Sequence, residues 1–290
     1  MTRFLDVRLA SVGGELATAV AVNQGTSIDD YESLDLGQFI AGIQGRDVLI
    51  GTHGFNVDRA HGIACLSNWE GLLQLAEPSV FVGLLWPGDS VWAHGLDYPE
   101  EPKVADDAGV LIADFVDATF GVAASVSFAS HSLGARVVLK TISEMSTAVR
   151  RLTVMAGAID DDCLATEFEC VADKVGEISI LASKGDDVLA AAFPLGNFFA
   201  GIIAVGHPWW RAALGHTGPA GGSPANLTAP YQIPENWGYG HGNYLQIDLL
   251  LPPVLPIPTN VPPDGSPEPA AGAVGWQEAF SAAFASTRFR

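Results

Sequence analysis

Short, almost wholly apolar runs recur along this chain, and glycine, proline or polar clusters end each one. Asp47–Thr52 is such a run and stops at His53-Gly54; Val80–Trp86 stops at Pro87-Gly88. Leu152–Ala156 and Glu177–Ala182 repeat the pattern further on. Between them the period changes. Over Val104–Thr119, Ala108, Leu111, Ile112, Phe115 and Val116 share one face of a predicted helix. Residues 122–129 read as another strand and Ala135–Ile142 as a helix directly after it. Strands apolar on both faces, separated by helices, predict an α/β fold: a mostly parallel central sheet with helices on both faces.

Outside this alternation the pattern weakens. The first 45 residues are less regular and read as an edge strand pair. Residues 200–243, rich in Gly, Pro and Trp, read as a lid or active-site loop, because loops of that length inside a domain usually carry function. Residues 252–269 are proline-rich and read as extended. Trp276, Phe280 and Phe284 then recur at helical spacing, as expected of a terminal helix docking an aromatic face. No repeat and no clear linker divides the chain, so residues 1–290 are expected to form a single domain.

Composition narrows the function classes. The formal net charge is −19, from 14 Lys+Arg against 33 Asp+Glu. Such a surface repels nucleic acid and anionic membranes and favours neutral or cationic small molecules; it also fits a saline source. Three cysteines, Cys65, Cys163 and Cys170, do not make a disulfide framework, and free thiols are expected over a Cys163–Cys170 bridge. The opening residues Met1–Arg8 carry no apolar core of a signal peptide, and Gly, Asp or Pro interrupts every apolar stretch before about 18 residues. A cytoplasmic protein without a membrane span is the expectation.

The chemistry centres on Ser130-His131-Ser132-Leu133-Gly134, lodged between the strand and the helix. A serine in so sharp a turn exposes its hydroxyl at a helix N-terminus, as in the G-x-S-x-G elbow, with Ser130 here in the first small-residue slot. A serine hydroxyl needs an imidazole to take its proton and an acid to orient that imidazole. Asp186 and Asp187 follow a later strand; one should turn inward while the other caps the next helix, and Asp186 is preferred as the acid. His241, between Gly240 and Gly242, is the expected base, with His207 and His216 as competitors. His131 diverges from its neighbour Ser132 and is not expected to act as base. Backbone N–H groups of Leu133, after the nucleophile, and of Phe55, in the His53-Gly54-Phe55-Asn56 turn, would hold a developing oxyanion. Asp160–Asp162 reads as a solvated turn at a helix start, and no metal site is expected.

Taken together, His53-Gly54-Phe55-Asn56, Trp86-Pro87, residues 130–136, residues 156–160, residues 183–186 and Gly240-His241 resemble the α/β-hydrolase superfamily. Within it they are similar to a bacterial subgroup of hydrolases of unknown function. The resemblance spans about residues 47–245 and implies Ser132, Asp186 and His241 as a triad, with Phe55 and Leu133 as oxyanion donors. It also implies a cofactor-independent, lipase-like serine esterase. The expected activity is hydrolysis of short-chain carboxylic esters, with Trp209 and Trp210 shaping the acyl pocket. A thioesterase or amidase of the same fold, or a non-catalytic binding module, are the alternatives.

Overall fold

The computed structural model describes residues 1–9, 15–73, 75, 77–89, 101–190, 212–228, 232–233, 239–242 and 244. Trp209, Trp210, His94, His207 and the proline-rich tail with its expected helix lie outside them. Nine strands form one sheet: β1 (Thr2–Arg8), β2 (Leu16–Gly25), β3 (Glu32–Ser33), β4 (Asp47–Thr52), β5 (Ser79–Leu85), β6 (Ser125–His131), β7 (Val149–Met155), β8 (Val175–Leu181) and β9 (Leu227–Thr228). Their spatial order is β3-β2-β1-β5-β4-β6-β7-β8-β9. From β1 across to β9 in that order every neighbouring pair is parallel; β2, antiparallel to both β1 and β3, alone runs against the rest.

The first 45 residues do supply a strand pair at one edge of the sheet, β2 and β3, and they supply a further strand inside it. β1 is no edge strand; it pairs in parallel with β5, and β2 and β3 extend the sheet beyond it. The alternation was hidden because Asp6 and Arg8 are buried within β1, satisfied by an ion-pair network rather than by apolar packing. A helix, α1 (Leu36–Ile43), follows, capped by Asp35, whose side chain accepts from Gln38 N–H.

The order of the strands places the helices. The chain moves from β4 to β5 in one direction across the sheet, then from β5 past β4 to β6 in the other. Right-handed crossovers in opposite directions lie on opposite faces. Helix α2 (Arg59–Leu73) therefore covers one face, while α3 (Glu101–Thr119), α4 (Gly134–Glu144) and α5 (Val171–Lys174) cover the other. Side-chain packing agrees: Trp69 of α2 lies edge-on to Phe81 of β5 at 5.4 Å, and Phe39, Phe115 and Phe120 cluster on the opposite face at 5.7–6.4 Å.

Helix α2 was not anticipated. Ile63, Leu66, Trp69 and Leu73 form its buried stripe, but Gly62, Ser67, Asn68 and Gly71 dilute the pattern. Asp58 caps it, accepting from the His61 backbone at 2.9 Å. The elbow strand starts at Ser125 rather than 122, after a 3-10 turn at Phe120–Val122. Part of the expected lid, residues 212–228, belongs to the sheet layer: β9 pairs with β8, and Gly215 exchanges backbone bonds with Gly157 and Ser183. None of the three cysteines is in a disulfide. Among the described residues no helix is long and apolar enough to cross a membrane.

Candidate active site

The reversal at β4 creates a crevice beyond the carboxyl ends of the strands, where open α/β sheets bind ligands. β4 and β6 pair with Thr52 opposite Ser130, so the loop after β4 and the turn after β6 emerge side by side. That register sets His53–Asn56 against Ser132 without any long-range device.

The turn at Ser132 is sharp. Ser132 has φ 53°, a left-handed conformation disfavoured for a residue with a Cβ. Two bonds to the loop after β7 hold it there: Ser132 N–H donates to Met155 O at 3.0 Å, and Ala158 N–H donates to Ser132 O at 3.1 Å. Space is exhausted around it. A Cβ on Gly134 would lie 2.3 Å from His53 O, and one on Gly54 would lie 2.7 Å from Ser132 Cβ. Ser130 fills the first small-residue slot fully buried, with no hydrogen-bond partner for its hydroxyl among the described residues.

Ser132, Asp186 and His241 come together. Ser132 Oγ lies 2.9 Å from His241 Nε2, and His241 Nδ1 lies 2.8 Å from Asp186 Oδ2. With the carboxylate as acceptor, Nδ1 carries the imidazole proton and Nε2 presents a lone pair to the serine hydroxyl. Asp186 is fully buried in the turn after β8, whereas Asp187 is exposed. The expected division of labour between the two aspartates is corrected: Asp186 does both tasks. Its Oδ1 accepts from Leu189 N–H at 2.9 Å, capping the helical turn at residues 187–190, while Oδ2 faces His241.

The loop carrying His241 is anchored at two carbonyls. Ser183 Oγ donates to Tyr239 O at 2.6 Å, and His131 Nε2 donates to His241 O at 2.8 Å. His131 therefore sits beside His241, ring centroids 4.9 Å apart, as a support for its backbone. Sequence reasoning gave it no role; nothing in the elbow alone reveals what its ring will meet. Tyr244 packs against both His131 and Tyr239, at 6.1 and 5.6 Å, and burial raises its phenol pKa well above the ordinary value. His216 lies in the single helical turn Leu214–Thr217 and is not brought to Ser132.

Phe55 and Leu133 border Ser132, one following Gly54 and the other following Ser132 itself. His53, just upstream, is fully buried and stacks on Trp86 at 5.9 Å and 13°. Its Nδ1–H donates to Gly54 O at 2.8 Å, and burial pushes its pKa down to about 3, so the ring is neutral near neutral pH. Among the described residues no group of three or more His, Cys, Asp or Glu is placed to hold a metal ion. Asp160–Asp162 instead forms backbone contacts to residues 212–213, and Asp162 is buried rather than solvated.

A family model described as Alpha/beta hydrolase of unknown function (DUF900) matches residues 29–214. Three esterases are among the solved structures similar to this chain. Esterase PE8 is 15% identical, with 68% of this chain and 86% of that chain covered at a TM-score of 0.36. A hyperthermophilic esterase from the archaeon Pyrobaculum calidifontis is 11% identical, with 76% of each chain covered and a TM-score of 0.36. Carboxyl esterase 2 from the mycorrhizal fungus Tuber melanosporum is 13% identical, with 85% of this chain and 84% of that chain covered and a TM-score of 0.34. Likenesses at this level say nothing of substrate or chemistry. No curated protein matches the chain.

Proposed function

Because the chain belongs to the family of α/β hydrolases of unknown function, matched over residues 29–214, we propose that it is a serine hydrolase cleaving short-chain carboxylic esters. The observation that carries this reading is the unbroken line from Ser132 Oγ through His241 to Asp186, with gaps of 2.9 and 2.8 Å. Three side chains from distant parts of the sequence meet in hydrogen-bonding order, at the sheet edge where such folds bind ligands.

In this reading Ser132 Oγ attacks the ester carbonyl carbon as its proton passes to His241 Nε2. The imidazolium that forms keeps its Nδ1–H on Asp186, which fixes the ring and offsets the new charge. The carbonyl oxygen, now an oxyanion, is received by the Phe55 and Leu133 N–H groups; losing one such donor typically costs about 3 kcal/mol. Collapse of the tetrahedral adduct breaks the bond to the alcohol oxygen, which takes the proton from Nε2 and leaves. Water then attacks the acyl-Ser132 ester, again giving its proton to His241. The carboxylic acid departs and Ser132 Oγ–H is restored. Every proton moves between groups of this chain, the substrate and water, so no cofactor is needed. The partner is a small-molecule ester.

The test is hydrolysis of a panel of aryl esters, thioesters and anilides by the purified protein and by Ser132→Ala. A butyrate ester should lead the panel, and Ser132→Ala should lose the activity. A fluorophosphonate should label Ser132 covalently. Full butyrate hydrolysis by Ser132→Ala would sink the mechanism, and absence of labelling would favour a non-catalytic binding module.

A further inference from the structure

An arginine at 3% exposure is unusual, since this side chain is almost never buried unless every charge is paired. Arg8 is such a residue. It ends β1, where Asp6 stands opposite Leu85, so it arrives beside the segment after β5. Its Nη1 donates to Val57 O and to Trp86 O, both at 2.9 Å, and its Nη2 pairs with the buried carboxylate of Asp89. Its backbone is pinned too. Arg8 N–H donates to Asp6 Oδ1 at 2.9 Å, and its carbonyl accepts from Arg59 Nη2 at 2.8 Å. Asp6 Oδ2 in turn holds Arg59 Nε and Tyr31 OH, each at 2.9 Å.

The two carbonyls that Arg8 grips belong to the loops that matter. Val57 lies two residues beyond Phe55, and residues 86–89 brace the same loop from the other side. Trp86 Nε1 donates to His53 O at 3.0 Å, and Asn56 N–H donates to Gly88 O at 2.6 Å, with Asn56 at φ 60°. The peptide planes of His53–Val57 are thus fixed against residues 86–89, and Arg8 fixes both to β1. Stability alone is a poor account of this arrangement. A buried ion pair is commonly no more stable than an apolar pair of the same volume, whereas a fork of directed donors sets position in a way apolar contacts do not.

We propose that Arg8 is a positioning residue for the oxyanion hole, holding the His53–Val57 loop so that Phe55 N–H points at the developing oxyanion. This rests on the reading of Phe55 as an oxyanion donor. Arg8 touches no substrate. It acts through Val57 and Trp86, and its loss lets the loop drift while Ser132, His241 and Asp186 stay in place.

The double variant Arg8→Met/Asp89→Asn removes the fork without stranding a buried carboxylate, and Arg8→Lys keeps a charge opposite Asp89 but loses the planar fork. A displacement of the order of 1 Å costs about 100-fold, so kcat of the double variant should fall by about that factor while KM moves by less than about threefold. Arg8→Lys should fall by about 10-fold. Affinity for an alkylboronic acid, whose tetrahedral serine adduct places an oxygen in the hole, should fall in step with kcat. The fluorophosphonate-titratable fraction should stay that of the wild type. Arg151→Met serves as the control; it breaks the pair of a buried arginine with half-buried Glu177 at the opposite end of the strands, and its kcat per titrated site should hold. If kcat per titrated site and boronate affinity of the folded double variant stay within about threefold of wild type, the proposal is overturned. If the double variant does not fold, the same criterion applied to Arg8→Lys decides. An unlabelled wild type that hydrolyses no ester would instead bring down the reading of the site, and this proposal with it.

Discussion

Replacing Asp186 by Asn tests the site most sharply, because the structure dictates which way the amide must turn. Asp186 accepts two hydrogen bonds, from His241 Nδ1–H on one oxygen and from Leu189 N–H on the other. Asn offers one acceptor and one donor. If its oxygen faces His241, its NH2 meets the Leu189 N–H donor to donor, which forfeits a helix cap of about 1 kcal/mol and buries an unsatisfied donor at a further cost of about 1–3 kcal/mol. If its oxygen stays on Leu189, its NH2 faces Nδ1, and His241 accommodates it by moving its proton to Nε2. The second arrangement keeps both Leu189 N–H and His241 Nδ1 paired, leaves one amide hydrogen over, and should prevail. It also presents Nε2–H to Ser132 Oγ, so the base has no lone pair to offer. Asp186→Asn should therefore fold, with a stability loss of no more than about 3 kcal/mol from the one buried amide hydrogen left over. Its kcat on p-nitrophenyl butyrate should nonetheless fall by about 1,000- to 10,000-fold, the loss typical of a triad histidine in the wrong tautomer. Asp187, exposed and turned away, should tolerate Asn with less than about twofold change. Steady-state kinetics beside urea denaturation measures both. An Asp186→Asn enzyme keeping more than a tenth of wild-type kcat, or an Asp187→Asn enzyme losing as much, would refute this geometry of the acid.

Other substitutions probe the surroundings. Gly134→Ala would drive a Cβ to 2.3 Å from the His53 carbonyl, a backbone atom with no room to yield, and should cost about 3 kcal/mol in denaturation and most of the ester hydrolysis. Ser130→Ala removes a buried hydroxyl without a partner among the described residues and should raise stability by about 1 kcal/mol; a loss of that size would show a hidden partner. His53 should make the fold acid-sensitive. Its folded pKa of about 3 lies below the ordinary 6.5, so the unfolded chain binds a proton in that window that the folded one refuses. Stability then falls as pH drops from 6.5 toward 3, by about 1.4 kcal/mol per unit from this group, and is unaffected above 6.5. His53→Gln should lose that component, so denaturation midpoints of wild type and variant should converge on acidification; parallel slopes would show the ring is not held neutral.

What the sequence made legible follows from how locally each feature is encoded. β4 to β8 announce themselves because both faces of a parallel strand are buried, which leaves an apolar run that needs no partner to be recognised. The positions of Ser132, Asp186 and His241 were readable for a related reason: each lies at a strand end or in a glycine-flanked loop, and their chain order matches that of the family. β1 was not readable, since its buried Asp6 and Arg8 look like surface residues until Arg59, Tyr31 and Asp89 are seen around them. The same limit hid the two tasks of Asp186 and the grip of His131 on the His241 carbonyl. Each depends on a contact between segments far apart in the chain, and side-chain identity alone does not say where the partner will be.

Backbone strain gathers at this edge of the sheet: Asn56, Ser132 and Ala156, all with positive φ, follow β4, β6 and β7. For Ser132 the strain predicts an inversion of an ordinary rule. Alanine normally stabilises a fold relative to glycine by about 0.4–1 kcal/mol, because glycine frees the unfolded chain. At φ 53° a Cβ instead clashes with its own backbone at about 1–2 kcal/mol. Both Ser132→Ala and Ser132→Gly lose the hydroxyl and its bond to His241, so they differ only in that methyl group. Ser132→Gly should be the more stable of the two by about 1 kcal/mol, and both should be inactive. Equal stability, or the usual advantage of alanine, would mean the elbow relaxes once the hydroxyl is gone, and that the bond to His241 rather than the backbone bonds to Met155 and Ala158 holds Ser132 in place. If glycine wins, the strain belongs to the scaffold, and the fold gives up stability at this position to keep the Ser132 hydroxyl facing His241.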